Sequence, residues 1–282
     1  MQADFLIDLD HDHPGFKDPE YREQRDSIAE QATKYWNEVN KGNSPDVPVI
    51  DYDPIQHGIW KHVCTQIFEK AKYNAVKEVL DGFKQLKFDI DKIPTLLEVN
   101  KKLTSKTGVK MVPVAGLIQS RHFFASLAKK EFYSTQYIRH SSCPDFTPEP
   151  DICHDLLGHT PLLMDEKIVK ASTVMAHAAT ICPEEDIVQL ERIYWFTFEY
   201  GLCYEDGKIK TYGAGNLSSY ADLTRCVNPD LVEHVDFDIQ KIIKTDYNPT
   251  IQQPLLFVSK SLSHALDEIS SYLEEKYDLK SS

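Results

Sequence analysis

The stretch PEPDICHDLLGHTP, residues 148–161, places two histidines five residues apart between prolines. On an α-helix, five residues rotate the side chain by about 140°, so His154 and His159 would point away from each other. Zinc-binding histidines of the HExxH type are four residues apart, which keeps both imidazoles on one helix face. The spacing therefore indicates either that the two histidines are unrelated or that the helix ends between them.

The residues around the histidines predict where such a helix begins and ends. Asp151 is a suitable N-cap, Gly158 is a typical residue just past a helix end, and Pro161 disfavours continuation. We therefore expect His154 within a short helix and His159 at or just beyond its end, turned back toward His154. The alternative is that each histidine only caps the chain or makes a local hydrogen bond.

Glu199 is the candidate third ligand. It lies in the apolar run IYWFTFEYGLC, residues 193–203, which we expect to be buried. A buried carboxylate is costly without a partner, so Glu199 needs a metal shared with the two histidines or an arginine such as Arg192 or Arg139. Two imidazoles and one carboxylate form the facial triad of non-haem Fe(II) oxygenases, and the same ligands hold catalytic Zn²⁺ with one water. Ligand type alone does not separate the two metals.

The composition is that of an acidic globular protein. The 282 residues are 41% hydrophobic and 27% charged, and the formal net charge is −13. This charge argues against nucleic acid or anionic membranes as partners. No apolar run approaches the roughly 20 residues of a membrane span, and the acidic N-terminus does not resemble a signal peptide. The six cysteines form no CxxC pair, so we expect reduced thiols in a cytoplasmic protein.

Helix start signals and apolar periodicity predict one mainly α domain. Asp18-Pro19 and Asp53-Pro54 are helix starts, and apolar residues follow each at helical spacing. Asp206-Gly207 lies between two strand-like runs and is a strong hairpin signal. Further helices are predicted over 95–106, 120–130 and 262–280, and STQYIRH and QPLLFVSK are further strand candidates. We expect a small antiparallel sheet beside the helices, an α+β arrangement.

Several long motifs resemble one known family. STQYIRHSSCPDFTPEPDICHDLLGHTPLL, IYWFTFEYGLC and YGAGNLSSY are similar to the catalytic core of the pterin-dependent aromatic amino acid hydroxylases. DHDHPGFKDPEYREQR and PVAGLIQSRHFFASLA match the same family, and all the motifs occur in the family's order. The resemblance implies that family's catalytic-domain fold, Fe(II) held by His154, His159 and Glu199, and a tetrahydropterin cofactor.

The resemblance also implies which residues line the amino acid and pterin sites. Arg139 matches the arginine that holds the substrate carboxylate, and a guanidinium fork fits a carboxylate well. The other matches for the amino acid pocket are Thr147, Pro150, Trp195 and Ser218, and Pro150 with Trp195 can enclose an aromatic ring. The matches for the pterin site are Gly116, Leu117, Ile118, Ser120, Phe123 and Asp155. Asp155 replaces the family's usual glutamate, which shortens the carboxylate by one methylene.

The resemblance implies a phenylalanine 4-hydroxylase. Trp195 matches the residue found at this position in the phenylalanine and tyrosine enzymes, and Thr147 favours phenylalanine. The expected substrates are L-phenylalanine, O₂ and a tetrahydropterin, and the expected product is L-tyrosine. The alternatives are tyrosine or tryptophan hydroxylation, a zinc-dependent hydrolase with the same ligands, and a non-catalytic binding protein. We expect a single catalytic domain over residues 1–282, without a regulatory domain or a long tetramerisation helix, as a monomer or small homo-oligomer.

Overall fold

In the computed structural model, the fold is described for residues 9, 11, 13–116, 118–145, 147 and 149–279. Helices dominate this part of the chain, as the sequence predicts. The α-helices are α1 (Pro19–Asn40), α2 (Pro54–Asn74), α3 (Lys77–Leu86), α4 (Leu96–Lys106), α5 (Ser120–Leu127), α6 (Thr160–Leu163), α7 (Glu166–Ile181), α8 (Ile187–Tyr194), α9 (Ala214–Leu217), α10 (Tyr220–Arg225), α11 (Ile239–Ile242) and α12 (Leu262–Tyr277). Two π-helices, His154–His159 and Trp195–Glu199, and one 3₁₀ turn, Glu184–Asp186, complete the helical set.

The predicted helix starts are confirmed at the level of individual hydrogen bonds. The Asp18 carboxylate accepts from the backbone N–H groups of Glu20 and Tyr21, at 3.0 and 3.1 Å. Asp53 and Gln56 form a capping box, in which each side chain accepts a 2.9 Å hydrogen bond from the other residue's backbone N–H. These bonds satisfy donors that the first turn of a helix leaves without partners, so α1 and α2 begin where the sequence signals place them.

The strands form two small sheets, and most of their pairing is parallel. β1 (Lys110–Pro113) pairs in parallel with β2 (Glu131–Ser134). The second sheet has the order β4-β3-β6-β5 and contains β3 (Leu202–Glu205), β4 (Lys208–Thr211), β5 (Glu233–Asp236) and β6 (Leu255–Ser259). Only β3 and β4 pair antiparallel, so the prediction of an antiparallel sheet is wrong outside this hairpin. The physical reason is connectivity, because helices or long segments separate the other strand pairs.

The hairpin itself is confirmed. Asp206 and Gly207 connect β3 to β4, and both have positive φ, 50° and 72°. Two consecutive positive φ values are the requirement of a type I′ turn, which matches the twist of the flanking strands. The strand predicted over STQYIRH, in contrast, is confirmed only at Ser134, where β2 ends, because residues 135–140 belong to no strand or helix.

One large hydrophobic core holds the helices together. Trp60 of α2 is fully buried, and its indole N–H donates to the carbonyl of Asp89 at 2.9 Å. All six cysteines have free thiols, as expected. No helix in the described ranges combines the length and apolar character needed to cross a membrane.

A close backbone contact between α3 and α6 fixes the position of the chain beside the histidines. A Cβ atom on Gly82 would lie 2.3 Å from the carbonyl oxygen of Pro161, so only glycine permits this approach. Because α6 directly follows His159, this contact also places the histidine-bearing segment against the core.

We predict opposite effects for alanine at two helical glycines. Gly82→Ala forces backbone atoms apart and should lower the free energy of unfolding by about 2 kcal/mol. Gly58→Ala in α2 is the matched control, because a Cβ there meets nothing within 4 Å. Alanine at this exposed position should raise the free energy of unfolding by about 0.5 to 1 kcal/mol. Urea denaturation measures both, and a neutral Gly82→Ala would contradict the contact.

Candidate active site

The first π-helix explains the five-residue spacing of the histidines. Its hydrogen bonds join residues five apart, as the bond from the Thr160 N–H to the Asp155 carbonyl illustrates. In a π-helix residues five apart lie one turn apart, so His154 and His159 share a face. The predicted helix end at Gly158 is wrong. The helix continues into α6, with Pro161 in the first turn of α6. Proline is tolerated there because a first turn has N–H groups without helical partners in any case.

Gly158 has a role other than the predicted helix end. A Cβ atom at this position would lie 2.6 Å from the carbonyl oxygen of Ala214. The glycine therefore lets the first π-helix lie directly against α9. Gly213, immediately before α9, makes a similar approach on the other side, where a Cβ would lie 2.4 Å from the Glu199 carbonyl oxygen.

The second π-helix carries the carboxylate. The Tyr200 N–H donates to the Trp195 carbonyl at 3.0 Å, which is again an i→i+5 bond. α9 and its preceding glycine pack between the two π-helices and bring Glu199 to the histidines. Of the three ligand residues, His159 is buried, and His154 and Glu199 are partly buried.

The three side chains form one compact cluster. His159 Nε2 lies 3.0 Å from His154 Nε2 and 3.0 Å from one Glu199 oxygen, and His154 Nε2 lies 3.6 Å from the other. Metal–ligand bonds of about 2.1 Å at right angles separate neighbouring ligand atoms by about 3.0 Å, so the cluster has the dimensions of a metal site. The alternative arginine partners are engaged elsewhere, because Arg192 pairs with Asp246 and Arg139 with Asp151.

The protonation states also fit a metal. Burial lowers the pKa of His154 to about 4, so its imidazole is neutral near pH 7. Burial acts to raise the pKa of Glu199, but its contacts with His159 and His154 bring that pKa below its usual value. A neutral imidazole at His154 and an ionised carboxylate at Glu199 are the forms that bind metal ions.

Ser218 orients one of the ligands. Its hydroxyl oxygen lies 2.9 Å from His154 Nδ1 and donates in turn to the Gly215 carbonyl at 3.4 Å. Metal binding at His154 Nε2 requires the Nδ1–H tautomer, and in that tautomer the Ser218 hydroxyl accepts this bond. The family resemblance implies that Ser218 lines the amino acid pocket, and the structure adds this contact with His154.

Arg139 is held by a buried carboxylate that the sequence analysis identified only as a helix cap. Asp151, which is fully buried, accepts from Arg139 Nε at 2.8 Å and from Nη2 at 2.9 Å. Asp151 also accepts from the His154 N–H at 2.9 Å, so the predicted cap is confirmed. The signal for the ion pair was available, because a buried arginine needs a carboxylate as much as buried Glu199 needs a cation.

One edge of the Arg139 guanidinium is therefore occupied before any substrate binds. The other edge is loosely held, because Nη1 reaches the carbonyls of Pro144 and Ser218 only at 3.3 and 3.5 Å. These distances lie at or beyond the usual limit for an N–H···O bond. Ser218 thus contacts Arg139 through its carbonyl and His154 through its hydroxyl. The guanidinium and the cluster of candidate ligands therefore lie on either side of one residue.

The other predicted pocket residues lie on two segments. The Thr147 hydroxyl donates to the Glu149 carbonyl at 3.0 Å, and Pro150 is exposed, with its carbonyl oxygen 3.3 Å from the Thr135 hydroxyl oxygen. Glu149 forms a two-point ion pair with Arg25 of α1, which anchors this segment to the N-terminal helix. Arg25 is itself buried, and this ion pair was not predicted from the sequence.

Trp195 opens the second π-helix and lies among other aromatic rings. It stacks on Tyr247 with ring centroids 4.4 Å apart and is tilted against Tyr200 at 4.8 Å. Its indole N–H donates to Gln253 at 3.0 Å. The enclosure of a substrate ring by Pro150 and Trp195 stays a prediction.

Four of the predicted pterin residues, Gly116, Ile118, Ser120 and Phe123, lie along α5 and the loop before it. Leu117 is outside the described residues. The ring centroids of Phe123 and Phe132 lie 5.7 Å apart, and those of Phe132 and His159 lie 4.6 Å apart. Phe123 is thus separated by one ring from the cluster of His154, His159 and Glu199.

Asp155 is tied to the end of β2. One of its oxygens accepts from the Ser134 hydroxyl, the Thr135 N–H and the Thr135 hydroxyl, at 3.0, 2.8 and 3.1 Å. Burial raises the pKa of Asp155 to about 7, despite these donors. The shorter side chain is therefore held by the protein itself, and its contact with a pterin stays a prediction.

We predict that Ser218→Ala weakens metal binding. Loss of the hydrogen bond to His154 should reduce metal affinity about tenfold to a hundredfold, measured by competition with a chelator. Ser142→Ala is the matched control, because exposed Ser142 makes the same kind of bond, 2.7 Å long, to half-buried His140 outside the cluster. Equal affinity in both variants would contradict the orienting role.

Comparison with known proteins agrees with this geometry. Residues 2–280 match the family described as biopterin-dependent aromatic amino acid hydroxylase. Tyrosine 3-monooxygenase of Rattus norvegicus is 40% identical over 272 residues, which cover 95% of this chain and 53% of that protein. Phenylalanine-4-hydroxylase of Caenorhabditis elegans is 40% identical over 269 residues, which cover 94% and 57%. The chain therefore spans about half the length of the curated relatives it matches.

Solved structures of similar fold include bacterial phenylalanine hydroxylases. That of Chromobacterium violaceum, with bound iron(III) and the oxidised cofactor 7,8-dihydrobiopterin, has a TM-score of 0.76 and 30% identity. The match covers 87% of this chain and 91% of that chain. The apo structure from Colwellia psychrerythraea has a TM-score of 0.75 and 30% identity, covering 82% and 94%. The expected catalytic-domain fold is confirmed.

Proposed function

This chain belongs to the biopterin-dependent aromatic amino acid hydroxylase family, and from that premise we propose that it is an iron- and tetrahydropterin-dependent monooxygenase that converts L-phenylalanine and O₂ to L-tyrosine. The observation that carries the proposal is the cluster of His154, His159 and Glu199, whose ligand atoms all lie within 4.8 Å of one another. Two imidazoles and a carboxylate on one side of an ion leave adjacent positions for other ligands, which is the arrangement of non-haem Fe(II) oxygenases.

The proposed division of labour assigns the redox chemistry to the cofactors. Bound Fe(II) and tetrahydropterin would supply the activation of O₂. The protein's own part is to hold the metal, to orient His154 through Ser218 and to position the substrate ring. The zinc-dependent hydrolase alternative has no support from the comparisons, since the matched family is a hydroxylase family.

Arg139 is the proposed anchor of the substrate carboxylate. Its Nε and Nη2 atoms stay on Asp151, which fixes the plane of the guanidinium. The weakly bonded Nη1 side is then available to an incoming carboxylate, which would replace the long contacts to the Pro144 and Ser218 carbonyls. Because Ser218 lies between Arg139 and His154, an amino acid held there would direct its ring toward the metal.

The preference for phenylalanine over tyrosine rests on the structural relatives named above, which are phenylalanine hydroxylases. Trp195 resembles the phenylalanine and tyrosine enzymes alike, so it does not separate these two substrates. Tyrosine hydroxylation is the second candidate, because tyrosine 3-monooxygenase and phenylalanine-4-hydroxylase relatives are both 40% identical to this chain.

We expect the purified protein, loaded with Fe(II) and supplied with tetrahydrobiopterin and O₂, to form tyrosine from phenylalanine. Its kcat/KM for phenylalanine should exceed that for tyrosine or tryptophan by about tenfold or more. Product analysis on the three amino acids measures this, with His159→Ala as the inactive control. Faster oxidation of tyrosine would favour the second candidate, and turnover with Zn²⁺ but not Fe²⁺ would refute the hydroxylase proposal.

We predict that Arg139→Lys raises the KM for phenylalanine by about tenfold or more at unchanged metal content. Lysine keeps the charge beside Asp151 but lacks the planar fork that can bind two carboxylates at once. Arg192→Lys is the control, since Arg192 pairs with exposed Asp246. An unchanged KM in the correctly folded Arg139→Lys variant would refute the anchoring role.

A further inference from the structure

A segment between α11 and β6, residues 243–254, contacts the second π-helix through the buried amide of Gln253 and the ring of Tyr247. The tip of this segment is exposed, but Gln253 near its end is only 2% exposed. Its Nε2 atom donates to the carbonyls of Asn248 and Ile251 at 2.9 and 2.8 Å. The amide therefore closes the segment on itself and fixes the direction of its own oxygen.

The Gln253 oxygen points at Trp195. It accepts the indole N–H at 3.0 Å, and the reversed amide would place two donors against each other, so the network defines the orientation. Tyr247, from the same segment, stacks on the Trp195 ring with an interplanar angle of 16°. One residue thus fixes the edge of the indole, and another covers one of its faces.

Trp195 is also connected through its backbone to Glu199, one of the three candidate ligands. Its carbonyl accepts the i→i+5 bond from the Tyr200 N–H, which closes the turn that ends at Glu199. The segment and the ligand-bearing helix are therefore connected at the residue that we assign to the wall of the amino acid pocket.

We propose that Gln253 is a positioning residue that acts through Trp195. It holds the indole at a fixed angle beside the metal cluster, so that the pocket wall is formed before an aromatic amino acid binds. This inference rests on the proposed function, because it takes Trp195 to be part of the substrate pocket. A preformed wall reduces the ordering that substrate binding requires, so its loss should appear in KM more than in kcat.

The test compares two neighbouring glutamines. Gln253→Leu removes the amide, and Gln252→Leu is the matched control, because Gln252 is exposed and contacts Asp222 at 3.2 Å instead of Trp195. We expect Gln253→Leu to raise the KM for phenylalanine about fivefold, the size of one lost hydrogen bond, with kcat and metal content close to wild type. Gln252→Leu should leave all three quantities unchanged.

Hydrogen exchange of the indole N–H groups provides a readout that does not depend on turnover. Trp36 and Trp60 are internal references, because their indoles donate to the carbonyls of Pro113 and Asp89, at 2.7 and 2.9 Å. In Gln253→Leu the Trp195 indole alone should exchange faster, by about tenfold or more. Equal acceleration of all three indoles would reveal general destabilisation and overturn the proposal.

A double variant tests whether the effect passes through the indole. Trp195→Phe removes the N–H that Gln253 accepts, so adding Gln253→Leu to it should raise KM little further. A full fivefold rise in the Trp195→Phe background would overturn the proposal, as would a KM within twofold of wild type in Gln253→Leu. If the wild type hydroxylates no aromatic amino acid, the proposed function fails, and the indole exchange still decides whether Gln253 holds Trp195.

Discussion

The i→i+5 hydrogen bonding of two short π-helices is the constraint on which the candidate active site depends. An α-helical turn at His154–His159 would direct the two imidazoles to different sides, and the wider turn directs both to Glu199. Glu199 ends a second π-helix, so all three ligands come from the same uncommon backbone form. Gly158 and Gly213 are the residues that let these two helices approach a common neighbour, α9.

Buried charge is balanced in pairs around this centre. Asp151 neutralises Arg139, Glu149 neutralises Arg25, and Glu199 faces the two histidines. Removing one member of a buried pair leaves an uncompensated charge, which costs far more than a surface pair contributes. The segment from Arg139 to Asp151 is thus fixed at both ends, once by an ion pair within the site and once by an ion pair to the N-terminal helix.

The features that local chemistry determines could be predicted from the sequence. The caps Asp18 and Asp53 and the hairpin at Asp206-Gly207 depend on neighbouring residues only, and the position of Glu199 in an apolar run already required a partner. The π-helices could not be predicted, because they depend on contacts with α9 that are distant in sequence. The same holds for the parallel strand pairs and for Gln253, whose side chain has no local pattern that distinguishes it from Gln252.

The π-helical turns also make the number of residues, and not only their identity, a condition of the site. Each hydrogen-bonded ring of a π-helix spans one more residue than a ring of the adjoining α-helix. Deletion of any one residue between His154 and His159 would let the segment relax into an α-helix and would bring the second imidazole to a spacing of four. That spacing suits two ligands on one α-helical face, but it would shift every residue after it by about 100° relative to α6 and the core. Substitutions in the turn can therefore be gradual in effect, whereas a change of its length would alter the centre and the packing behind it together.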